Sequence, residues 1–435
     1  MAIPSPGAAL LALVTPLLLF HVDYLPGFTV GAGEADVDVL LSDLLLVVLA
    51  VVVTARIARF GVGPLRPGLP VWALSAALLA WVAIGTFHPL LSDRDYALET
   101  HLITAAKFAE YAVLALAVPA LARTRGELEL LLGVIAGWAV LAAVVGLAQF
   151  AGADIFDAWA AGRRQPSYLG HHDFAALSGC GFAIGLAALV FRKHKRLAVA
   201  ACAGGAVGLV VSGSIAGLLG IAGALGAAAV VALGRRTGRR ALGAAAASVL
   251  AAALLLVAFR GNDLDDFLRF AGVLDPKQEQ EEPGVETYSH RTLLAYLGLR
   301  IWVDHPIAGA GWQASGEYEL VGRYLPDARK RFPDVPDEAF PRPGRRYGVQ
   351  NAWVQSLADL GVVGLLLFGG LLAAGFWLAE RRALRTGAWT ALAAAGILVV
   401  VAGVWTAQGL VAALALDSLM WLGLGLAASV PAADP

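Results

Sequence analysis

The sequence predicts an all-α, polytopic membrane protein with about twelve transmembrane helices and one large helical loop between the ninth and tenth. Three observations carry that prediction. The 435 residues are 59% hydrophobic, above the roughly 45–50% apolar content of soluble domains. The excess falls in runs of about 17–25 residues, the length that crosses a hydrocarbon core of roughly 30 Å. Basic residues then alternate from one inter-run connection to the next.

The apolar runs cover roughly residues 8–22, 39–55, 71–87, 102–121, 128–150, 173–191, 197–212, 214–233, 240–259, 353–379, 387–407 and 410–429. Ala8–Phe20 lacks a preceding Lys or Arg and a clear small-x-small cleavage site, so it reads as a short first span rather than a signal peptide. Alternate connections hold Arg56, Arg59 and Arg66; Arg123 and Arg125; Arg192, Lys193, Lys195 and Arg196; Arg235, Arg236, Arg239 and Arg240; and Arg381, Arg382 and Arg385. The opposite short connections hold only Arg94, Arg163 and Arg164. Positive-inside bias therefore places both termini in the cytoplasm.

On this topology the chain divides into residues 1–259 with spans one to nine, an extracytoplasmic loop over 260–352, and residues 353–435 with the last three spans. The loop is too long for a connector and too irregular in apolar pattern for an independent domain with a large core. A few helices lying over the membrane domain are expected. The cytoplasmic connections are too short to hold a nucleotide-binding domain. Chemistry is therefore expected in the membrane or outside it, where lipid-linked substrates are available. A net charge of −1 gives no basic field for nucleic acid. Cys180 and Cys202 lie in apolar runs and read as buried thiols, and no Cys/His group has zinc-ligand spacing.

Three polar stretches offer chemistry. The first runs from Ser289 to Trp312. Residues 291–304 suit a helix ending before Pro306. Tyr296, Arg300 and Asp304 share one face of it, either binding substrate or forming a solvated Arg300–Asp304 pair. The Gly309-x-Gly311 turn that follows permits close backbone approach. The second stretch surrounds Gln350, Asn351, Gln355 and Asp359 at the entry of span ten, where polar groups cap the helix or face a cavity. The third runs from Arg163 and Arg164 to His171, His172 and Asp173. Two arginines there suit a diphosphate, and His172 or Asp173 suits a proton acceptor or, for Asp173, a helix cap. Within the apolar runs Asp43, Lys107, Glu110 and Asp417 need partners, with Lys107 and Glu110 spaced for mutual neutralisation. Ser212-Gly213-Ser214 reads as the tight turn of a helical hairpin. The acidic cluster Asp263, Asp265 and Asp266 reads as a solvated loop.

Together these stretches resemble the O-antigen ligase and O-antigen polymerase superfamily of bacterial membrane glycosyltransferases, over nearly the whole topology. The matching elements are Arg291 followed by His305-Pro306-Ile-Ala-Gly309-Ala-Gly311, Asn351 followed by Asp359-Leu360-Gly361-Val-Val-Gly364, and the Gly170-His171-His172-Asp173 turn. Two features depart from the family pattern. Gln350 stands where the family carries His, the proposed base, and an Arg that often opens the eighth span is absent after Ser212.

The resemblance implies a GT-C-like fold and transfer or polymerisation of a glycan from a polyprenyl (undecaprenyl) diphosphate onto an acceptor hydroxyl at the extracytoplasmic face. The partners implied are that donor, a glycan or glycolipid acceptor, and the bilayer. Arginines stabilise the leaving diphosphate, so no metal and no other cofactor is expected. The implied catalytic set is Arg291, His172, Asp359, Gln350 and Asn351. The implied substrate-binding set is Arg163, Arg164, Arg300, His171, Tyr296, Arg345, Arg346 and His305. A transporter and a non-catalytic partner in envelope assembly are the alternatives.

Overall fold

The computed structural model describes residues 3–32, 35–91, 98–270, 287–333, 335, 337–344, 347–410 and 415–431. Arg94, Glu279–Glu282, Arg345 and Arg346 fall outside them, as do the side chains of Asp263, Asp265 and Asp266.

Sixteen α-helices are present among the described residues. They are α1 (Pro6–Leu18), α2 (Leu41–Phe60), α3 (Leu69–Phe87), α4 (Leu98–Tyr111), α5 (Val113–Leu121), α6 (Arg125–Phe150), α7 (His171–Val190), α8 (Lys195–Ser212), α9 (Ile215–Gly234), α10 (Arg239–Phe270), α11 (Thr287–Asp304), α12 (Tyr318–Val321), α13 (Leu325–Arg331), α14 (Ala352–Thr386), α15 (Trp389–Val404) and α16 (Ala415–Ala428). Among the described residues nine spans, with α4 and α5 counted as one, are long and apolar enough to cross a membrane, and α1, α15 and α16 are shorter apolar helices. Each falls on one of the expected runs, so the chain is an all-α, multi-pass membrane protein.

The Arg-rich connections meet one another: Arg235 Nη1 donates to Leu384 O, and Glu129 pairs with Arg125 and His194. One end of the bundle carries the Arg-rich connections, and the other carries the long connection between α10 and α14. This second end is called the loop end. α7 lies at the centre, with every residue from Asp173 to Ala188 buried. Its glycines make that possible: the backbone of α8 at Ala198 and Cys202 lies where a side chain on Gly185 would be.

One element was not expected. β1 (Gly27–Ala32) and β2 (Ala35–Leu40) form an antiparallel hairpin at the loop end. Its signal is the alternation Phe28, Val30 on one strand and Val37, Val39 on the other, with Phe28 opposite Val39 and Val30 opposite Val37. Lys107 Nζ donates to the Asp38 carbonyl oxygen at 2.9 Å and pairs with Asp43 Oδ2 at 3.0 Å. Lys107 thus ties the hairpin and α2 to α4, and its partner is Asp43 rather than Glu110, because the Asp43 carboxylate meets it across the helix interface.

The long connection has a small core of its own. Leu293, Leu294, Leu297 and Ile301 of α11 pack with Val321, Leu325, Ala328, Ala339 and Phe340, and the cluster reaches Ala358 of α14.

Candidate active site at the loop end

α14 is broken. Gly361 has φ 68° and ψ −169°, a conformation closed to residues with a Cβ. The break is filled by the His305–Gly311 turn. Ala310 N donates to Ala358 O at 2.8 Å and Gly311 N to Asp359 O at 3.0 Å, while Val362 N donates to Pro306 O at 2.9 Å. The two glycine-bearing stretches noted in the sequence are therefore halves of one contact. A side chain on Gly309 would strike the Asp359 carbonyl, and one on Gly361 would strike the Ile307 carbonyl. The pairing satisfies backbone groups that the helix break releases and fixes α11 over the bundle.

A cavity of about 300 Å³ lies near the N-terminal ends of α11 and α14, lined in part by Arg164, His171, His172, Arg291, Gln350 and Asn351. Gly213, Ser214, Ile215, Ala216 and Leu219 form an adjoining wall, Thr292 and Ala295 continue the α11 wall, and Thr406 and Ala407 close the site between α15 and α16. All of these residues sit at the loop end.

At its centre Arg291 joins Gln350 and His172. Its Nε donates to Gln350 Oε1 at 3.0 Å, and its Nη2 lies 2.7 Å from His172 Nε2. A guanidinium only donates, so His172 Nε2 accepts and the ring is neutral, with its proton on Nδ1. His171 lies against His172, with ring centroids 3.8 Å apart and the planes tilted by 42°. Arg164 lies over the Trp159 ring, 4.9 Å from its centroid, and Trp159 lies 5.4 Å from His171. The loop bearing Arg164 is held by buried Gln165, which accepts from Trp159 N at 2.9 Å and donates to the Ala160 carbonyl at 3.0 Å.

Three helices begin at the cavity: α7 at His171, α9 at Ile215 and α14 after its cap Asn351. Each N-terminus carries roughly half a positive charge. Ser214 and Asn351 cap two of them, accepting from Gly217 N and from Trp353 and Val354 N, whereas Gly170 gives α7 no side-chain cap.

Other expected site residues lie elsewhere. Asp359 is buried, accepting from Ser315 N at 2.8 Å and from Gln355 Nε2 at 3.0 Å. Asp173 is buried and accepts from Leu416 N at 2.9 Å, capping α16 rather than its own helix. Asn351 lines the cavity, but its oxygen is spent on the α14 cap and its amide donates to Thr406 O at 3.1 Å. Tyr296 and Arg300 both reach Asp327, at 2.6 and 3.3 Å, and Asp304 accepts from Tyr324 at 2.8 Å. That replaces the Arg300–Asp304 pair: Arg300 meets Asp327 on α13, and Asp304 meets Tyr324 in the turn between α12 and α13. Burial and the Asp304 bond push the Tyr324 hydroxyl up to about 12. Arg163 is exposed and His305 half-buried, and neither lines the cavity.

Residues 198–369 match the family model described as O-antigen ligase. The chain contains an O-antigen ligase family domain. No curated protein matches the chain. The matched stretch of this O-antigen ligase-like membrane enzyme holds Arg291, Gln350 and the Gly213–Leu219 wall. Arg164, His171 and His172 come from before it, and Thr406 and Ala407 from after it.

Proposed function

We propose that the protein transfers or polymerises a glycan from a polyprenyl-diphosphate donor onto an acceptor hydroxyl, with the loop end facing out of the cytoplasm at the inner membrane. One observation carries the reading. Arg291 joins His172 and Gln350 in a single cavity that also holds Arg164 and three helix N-termini. That is a concentration of positive potential suited to a diphosphate.

The contact between Arg291 and His172 orders the chemistry. A diphosphate oxygen is a stronger acceptor for a guanidinium than a neutral imidazole is. Donor binding therefore draws Arg291 Nη2 away and frees His172 Nε2, while Gln350 keeps hold of Nε. The C1–O bond to the diphosphate then breaks, and its electron pair leaves on the diphosphate oxygen, beside Arg291 and Arg164. The acceptor oxygen bonds to C1 and its proton passes to His172 Nε2. The nearby diphosphate charge favours the resulting imidazolium. In this scheme His172, on α7, does the work of the histidine that Gln350 replaces, and Gln350 orients Arg291. The products are an extended or transferred glycan and free polyprenyl diphosphate.

The test is purified protein in vesicles with a polyprenyl-diphosphate oligosaccharide. Glycan transfer with stoichiometric release of polyprenyl diphosphate supports the reading. Movement of intact donor across the vesicle without bond cleavage would replace it with transport.

A further inference from the structure

A second polar cluster lies beneath the cavity and lines no part of it. Gln355 and Asp359, both buried on α14, face residues 312–317 of the long connection and Leu410 of the α15–α16 connection. Asp359 Oδ1 accepts from Ser315 N, and Asp359 Oδ2 accepts from Gln355 Nε2. Gln355 Oε1 accepts from Leu410 N at 2.6 Å, and its amide also reaches Gln313 Oε1 at 3.1 Å. Gln313 Nε2 donates to the Leu410 carbonyl. The same segment is pinned to α3 and α4: Trp312 N donates to Gly85 O at 3.0 Å, Trp312 Nε1 to Thr104 Oγ1 at 3.0 Å, and Glu317 Oε1 lies 3.3 Å from buried His101 Nε2.

Each anchored point leads to a wall of the cavity. Leu410 follows Thr406 and Ala407 by a few residues. Gly316 O accepts from Tyr347 N at 3.4 Å, three residues before Gln350. The Tyr347 ring meets His290, the neighbour of Arg291, edge to face at 6.0 Å. Backbone strain marks the same place. Gln313 has φ 62° and ψ 8°, left-handed for a residue with a Cβ. Such a conformation persists where surrounding bonds hold it.

We infer that Gln313, Gln355 and Asp359 are positioning residues, a clamp that sets the 347–351 and 405–409 walls and through them the aim of Arg291. The transfer part of this inference rests on the reading under Proposed function. It also assigns the acidic residue of the Asp359-Leu360-Gly361 stretch a role at the clamp rather than at the reacting bond.

Gln313→Gly is the informative variant, because it removes both side-chain bonds while relieving the left-handed backbone. The account expects an unchanged or raised Tm, amide exchange over 347–351 and 405–409 at least fivefold faster than in the wild type, and kcat for transfer at least tenfold lower with donor KM within threefold. Gln355→Ala repeats the exchange and kcat effects from the other side of the clamp, and Gln355→Glu, which keeps the acceptor for Leu410 N but sets a carboxylate oxygen against Asp359 Oδ2, recovers neither. Wild-type exchange in both walls, or wild-type kcat, in Gln313→Gly overturns the clamp. A loss of Tm alone does so as well. Wild-type protein that shows no transfer removes the donor reading, while the exchange measurement still decides the clamp.

Discussion

α11 presents two polar faces that look alike in sequence and do different things. Arg291, Thr292 and Ala295 face the cavity. Tyr296, Arg300 and Asp304 face α13 and the turn before it, where each is bonded to a residue of the same connection. At about 100° per residue the second set lies roughly 140–220° around the helix from Arg291. The difference teaches that a basic residue near a site is assigned by the helix face it shares with the site. Charge and proximity in sequence are not enough. Among its partners Arg291 has a neutral imidazole and an amide oxygen, each a weaker acceptor than a diphosphate oxygen. Arg300 is already paired with a carboxylate.

That contrast can be broken or sharpened by substitution. The largest effect is expected at Arg291, where alanine removes the donor facing the developing charge. Losses of about 10²–10³ in turnover accompany removal of one such donor in other enzymes. His172→Gln comes next: it keeps an acceptor for Arg291 but no group that can take a proton. A fall of about 100-fold in kcat is expected, at the low end for lost general-base catalysis. A His172→Gln enzyme within threefold of wild type would move the base elsewhere. Gln350→Ala is expected to lower kcat about fivefold, the effect of about 1 kcal/mol for one hydrogen bond that orients Arg291. Arg300→Ala should be the mildest, since exposed ion pairs contribute under about 1 kcal/mol. Turnover within twofold of wild type and a Tm within about 3 °C are expected, and a tenfold loss of kcat there would erase the distinction between the two faces.

Much of the fold was legible in the sequence because apolar run length and charge alternation are local signals. All twelve runs became helices. The site was legible in part. The stretches bearing Arg164, His171, His172, Arg291 and Gln350 were each visible, and the cavity brings them together. What sequence could not supply was which groups are already spent. Asp359 and Asp173 have the residue types of catalysis, yet each accepts from a backbone N–H far along the chain, a partner that carries no mark in a sequence, whereas the cap that occupies Asn351 is one of the two readings its stretch offers. The face of α11 was a different kind of miss. The period that put Tyr296, Arg300 and Asp304 together also separates them from Arg291, so this was readable before any coordinates. Thr406 and Ala407 gave only a faint signal, a polar break of Thr406, Gln408 and Gly409 in the apolar C-terminal third.

The central claim is that Arg291, and not the other basic face of its helix, serves the leaving diphosphate. It is tested most directly by release of free polyprenyl diphosphate in a single turnover, measured side by side for wild type, Arg291→Ala and Arg300→Ala in the same vesicles. The account predicts release by wild type and Arg300→Ala at rates within twofold of each other, and by Arg291→Ala at least 100-fold more slowly with the protein still folded. Equal rates for Arg291→Ala and wild type, or a loss at Arg300 as large as that at Arg291, would contradict it.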